Sequence, residues 1–65
     1  MTQEKVTRPE LLEMEIGQEK TFFLKEKTKL QATATTLTQL KNEEKGEWTH
    51  KKNYKDISIT ITRIQ

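Results

Sequence analysis

The chain has 65 residues, no cysteine, 31% hydrophobic and 34% charged residues, and a formal net charge of +2. That length allows one domain with a small core, burying roughly 60% of the unfolded surface, and the missing cysteines exclude disulfide support. The longest apolar run, Phe22–Leu24, is three residues, far short of a membrane span, and no hydrophobic signal segment opens the chain. A cytoplasmic protein is expected, with a homodimer as one route to extra core.

Charge is unevenly spread. Residues 1–24 carry three cations against five carboxylates, and residues 25–65 carry nine against five. The second part is therefore the one suited to an anionic partner.

Residues 1–9, MTQEKVTRP, are polar and end at a proline. They are expected to form a flexible tail; Lys5 and Arg8 would otherwise make a basic arm for a nucleic-acid groove. In ELLEMEI, residues 10–16, Leu12, Met14 and Ile16 alternate with Glu13 and Glu15. This reads as a strand, turning at Gly17–Lys20 into a second strand, TFFL, at 21–24. Phe22 and Leu24 share one face and Phe23 takes the other, so one aromatic should pack under a helix.

A helix is expected over 28–46. Thr28 and Gln31 have capping-box spacing, and Gly46 offers a stop. Leu30, Ala34 and Leu37 recur at helical spacing, with Leu40 flanking. Thr33, Thr35, Thr36 and Thr38 resist helix formation, so packing must hold it. The outward side is unusual. Gln31, Thr35, Gln39 and Asn42 point away from the leucines, beside Thr28 and Ala32. A face that serves only solubility tends to carry Lys and Glu. This one is neutral, and its amides, hydroxyls and methyls suit base edges and phosphates. An ordinary polar surface is the plainer reading of the same residues. Lys25, Lys27 and Lys29 crowd the helix entrance, where the macrodipole disfavours cations unless an anion sits among them.

Glu47–Lys52 reads as a third strand, Asn53–Asp56 as a turn, and Ile57–Ile64 as the strongest strand, with Ile57, Ile59 and Ile61 facing the core. Lys55, Asp56 and Arg63 flank or punctuate it as gatekeepers against aggregation. Alternation puts Arg63 on the isoleucine side, so the strand should end, bulge or let the arginine emerge at the rim. Trp48 is core or a stacking platform, and Tyr54 sits in a turn with Lys51, Lys52 and Lys55. The expected fold is α+β, ββαββ, with one helix packed on a small antiparallel sheet and residues 10–65 forming a single domain.

Groups for catalysis are sparse. One histidine, His50, and no cysteine leave no metal set. Gly17 and Gly46 stand alone, so there is no phosphate loop. Ser58, His50 and Asp56 lack a nucleophile elbow. Glu13 and Glu15 would stand roughly 6.6 Å apart on a strand, without a cleft to desolvate either. No enzyme, cofactor or metal is expected.

From the helix onward, ATATTLTQLK at 32–41, then Gly46, Trp48, Lys51–Lys52 and ITRI at 61–64, the chain resembles small DNA-binding domains of phages and mobile elements. It differs from them in Glu43, Glu44 and Glu47 near the helix end. The resemblance implies a helix in the major groove, hairpin lysines on phosphates, and a hairpin ending in an arginine, here Arg63. The expectation is a DNA-binding or transcription-associated module, with RNA as an alternative polymer. Lys25, Lys27, Lys29, Lys51 and Lys52 would contact phosphates, and Gln31, Thr35 and Gln39 would read bases. The competing expectation is a protein-interaction module or small homodimeric phage-type inhibitor, using an acidic first hairpin or an exposed strand edge.

Overall fold

A computed structural model describes residues 2–65; Met1, the first residue of the expected tail, lies outside them. The elements run β1 (Thr2–Gln3), α1 (Arg8–Leu12), β2 (Glu19–Leu24), α2 (Lys27–Asn42), β3 (Trp48–Asn53) and β4 (Ser58–Arg63). The strands form one mixed sheet in the order β1-β2-β4-β3. β4 runs antiparallel to both neighbours, with Phe22 and Lys52 on either side of Ile59, and Lys20 and His50 on either side of Ile61. β1 lies parallel to β2.

The α+β class stands, but ββαββ with a single helix does not. Residues 10–16 are not a strand. Thr7 caps a short helix with Pro9 in its first turn, and the Glu10 carboxylate returns to accept the Thr7 N–H at 3.1 Å. Helical spacing then buries Leu11 and Met14 and leaves Leu12 and Ile16 exposed. A threonine followed three residues later by a glutamate, with proline between, is a helix start. That signal outweighs the five-residue alternation from Leu12 to Ile16. The segment expected as a tail is tied down as well: Thr2 and Gln3 pair with Phe23 and Leu24, and Val6 is buried.

Period two sends Phe22, Leu24, Ile59 and Ile61 to one side of the sheet. There they join Val6, Leu11, Met14, Leu30, Leu37, Leu40 and Trp48 in one core. The aromatic under the helix is Phe22. α2 buries Leu30, Thr33, Ala34, Leu37 and Leu40. Its limits differ from those expected. Glu26, not Thr28, is the N-cap residue, and the helix stops at Asn42. The stop is made by Glu44, at φ +60°. Its N–H donates to the Lys41 carbonyl, and the Lys45 N–H donates to the Leu40 carbonyl, each at 3.0 Å. That bond pair is the Schellman closure, with glutamate in the left-handed position where glycine is usual. Gly46 has a different duty: a Cβ there would lie 2.8 Å from Trp48 Cη2 and 3.0 Å from the Gln65 carbonyl oxygen.

Candidate nucleic-acid interface

Two connections meet at one end of the sheet. The Leu24 N–H, at the end of β2, donates to the Ile57 carbonyl at 2.8 Å, which pins the entrance of α2 beside the β3–β4 turn. Asn53 builds that turn. Its Oδ1 accepts from the N–H groups of Lys55 and Asp56, and its Nδ2 donates to Asp56 Oδ2 at 3.1 Å. Ile57 leaves the turn at φ +52°, a conformation costly for a β-branched residue. The result brings Lys25, Lys27 and Lys29 at the entrance of α2 beside Lys52 and the turn that carries Lys55. Lys52 Nζ donates to Gln31 Oε1 at 3.2 Å, joining β3 directly to the first turns of α2. It also lies 5.8 Å from the centre of the exposed Tyr54 ring.

Three acids share this end. Asp56 is engaged by Asn53, Glu26 accepts from the Thr28 hydroxyl at 3.4 Å, and Glu4 follows the Gln3 that pairs with Leu24. None of them pairs with a lysine. Among the described residues the ion pairs are Arg8–Glu43 and Lys41–Glu47, both toward the far end of α2. The first turn of α2 holds no acid beyond its cap residue. Its N-terminal dipole and the lysine charges therefore add, offset in part by the carboxylates at this end.

The outer side of α2 is as read from the sequence: Thr28, Gln31, Ala32, Thr35, Gln39 and Asn42 are all exposed. The threonines carry an added feature. The hydroxyls of Thr33, Thr35, Thr36 and Thr38 each donate to the carbonyl four residues earlier, at 2.8–3.2 Å. Thr35 therefore presents lone pairs and a methyl outward, with its proton already used. Capping-box reciprocity between Thr28 and Gln31 is absent, because Thr28 lies within the helix behind the Glu26 cap, and the Gln31 amide oxygen accepts from Lys52 instead.

The expected site residues do not form one surface. Lys25, Lys27, Lys29, Gln31, Thr35, Gln39 and Lys52 lie on the helix side. Lys51 points to the opposite face of the sheet, since it precedes Lys52 in the strand. Arg63 is elsewhere. It opposes Trp48 at the other end of β4 and sits 5.2 Å from the indole ring. Its Nη1 donates to the carbonyls of Leu12 and Met14 at 3.0 and 2.7 Å, and its Nε to the Gln65 carbonyl at 2.8 Å. It emerges at the rim, as alternation suggested, and ties the last strand to α1. Lys55, expected as a gatekeeper and as part of the basic turn with Tyr54, belongs to this end as well, and Phe23 lies on the other face of the sheet. No known family, curated protein or solved structure matches the chain.

Among the described residues, no helix is long and apolar enough to cross a membrane. Chemically, the basic end can hold polyanions: ammonium groups, a helix N-terminus and an uncharged amide face stand side by side.

Proposed function

We propose that this chain is a small nucleic-acid-binding module, DNA-binding in the manner of transcription-associated or mobile-element proteins. The observation that carries the reading is the gathering of Lys25, Lys27, Lys29, Lys52 and Lys55 around the start of α2, none of them ion-paired among the described residues. Phosphates would settle among these lysines. The outer face of α2 would lie toward a groove, with Gln31 and Gln39 presenting amides and Thr35 a methyl and an acceptor to base edges. The test is titration of labelled duplex DNA over a range of salt. Lys27→Ala or Lys52→Ala should weaken every sequence alike and flatten the log–log salt slope by roughly one. Gln39→Ala should leave the slope unchanged and cost ~1–3 kcal/mol on a preferred sequence only. Absence of binding to duplex, single-stranded DNA and RNA at low salt would overturn the reading.

One observation favours a protein-interaction module instead. β3 is an edge strand of six residues whose outer side pairs with nothing in the described chain. Such an edge can add a strand from a partner or a second copy. A concentration-dependent dimer together with no nucleic-acid binding would select this alternative. The acidic first hairpin once open to it does not exist.

A further inference from the structure

We infer that the open face of the sheet takes an unpaired nucleic-acid strand, with one base stacked on the Phe23 ring. The inference rests on the nucleic-acid reading above and adds the form of polymer that this face accepts. Alternation along β2 buries Phe22 and Leu24 and sends Phe23 to the opposite side. No helix lies there, because α1 and α2 both contribute to the core on the other face. Phe23 is 43% exposed. Its neighbours across the sheet are Thr2 on one side and, on the other, the buried Ser58 and then Asn53, side chains too small to roof a ring. The next row on the same face is Thr21, Thr60 and Lys51, with the two threonine hydroxyls joined at 3.0 Å.

Charge selects the occupant. Lys51 stands one row from Phe23 and two strands across, roughly 12 Å away by strand spacing and rise. Lys55 lies in the turn that follows Asn53. Within the strands the carboxylate on this face, Glu19, belongs to the far row with Thr62 and Thr49, and at the near end Asp56 is held by Asn53 while Glu4 follows β1. The chain's other exposed ring, Tyr54 at 49%, lies at the same lysine-rich end, whereas Phe22 and Trp48 are core. A single bare ring among hydroxyls and ammonium groups is too little apolar surface for a protein partner. It suits a chain that alternates π-faces with phosphates. Such stacking requires a base free of its duplex neighbours, so the polymer is single-stranded at this point.

The test compares wild type, Phe23→Thr and Phe23→Trp by fluorescence anisotropy, using a short labelled oligothymidylate and a labelled duplex at low salt. Circular dichroism checks that each variant keeps its fold. Phe23→Thr should weaken oligothymidylate binding about tenfold or more and leave duplex binding unchanged. Phe23→Trp should restore the affinity, and its indole emission should fall as a base stacks on it, above the constant signal of buried Trp48. Oligothymidylate binding that is untouched by Phe23→Thr, or that falls equally on both polymers, overturns the inference and leaves the nucleic-acid reading in place. So does a Phe23→Thr variant that loses self-association in sedimentation while binding oligothymidylate normally, since Phe23 would then be a contact between copies. A wild type that binds neither polymer overturns both.

Discussion

Glu44 and Gly46 show how one residue's backbone decides where an element stops. Glu44 takes the left-handed conformation that closes α2, and Gly46, two residues on, is kept small by the indole of Trp48. A residue with a Cβ pays about 1–2 kcal/mol in that conformation, and the exposed Glu44 side chain makes no hydrogen bond or ion pair that offsets it. Glu44→Gly should therefore raise the unfolding free energy by about 0.5–1 kcal/mol. Urea denaturation with an unchanged m-value is the measurement, and a loss of stability would show that the side chain contributes something beyond the turn. Gly46→Ala lacks that freedom, because the new methyl would meet Trp48 and a backbone carbonyl.

At the scale of elements, the short helix α1 depends on Glu10. Its carboxylate accepts from the Thr7 N–H, the Thr7 hydroxyl at 2.9 Å and the Gln3 amide at 3.1 Å, linking β1 to the helix. Partial burial pushes the Glu10 carboxyl up, but the Thr7 and Gln3 hydrogen bonds and the charge of Lys20 outweigh it and hold the group below its ordinary 4.5. A folded-state value that is depressed gives stability that is present above the unfolded value and lost as pH falls through the folded one. The denaturation midpoints of wild type and Glu10→Gln should differ at neutral pH and converge as pH drops below about 4.5; a gap independent of pH would mean that the charge is not what holds the link. The same residues explain what could be read in advance. β2, β3, β4 and the buried side of α2 were legible because their periods agree with their neighbours' propensities. α1 was missed although Thr7, Pro9 and Glu10 spell a helix start, because Leu12, Met14 and Ile16 also alternate and a five-residue helix has too few turns to show its own period. β1 has two residues, too few for any pattern, and its parallel pairing is set by the path of the chain through α1. Of the candidate site, the helix face was legible from periodicity. The split of Lys51 from Lys52 follows from strand alternation. The withdrawal of Arg63 into contacts with α1 depends on an element that alternation concealed.

Across the whole molecule, charge and topology are arranged differently. The basic end is built from parts far apart in sequence, residues 25–31 and 51–57, brought together by the bond between Leu24 and Ile57. The order β1-β2-β4-β3 places the last strand in the chain between two earlier ones. Everything before Ser58 can be made without giving β2 and β3 any strand between them. α2 cannot wait as an independent helix either, because its threonines disfavour it until the leucines find Ile59 and Ile61. A chain truncated after Asp56 should accordingly show little amide dispersion by NMR and no cooperative thermal transition, and a folded truncation would refute the dependence. On a ribosome, then, this domain has no partly folded stage to pass through. It stays an open chain until β4 has left the exit tunnel, and for that interval chaperones and proteases can engage it.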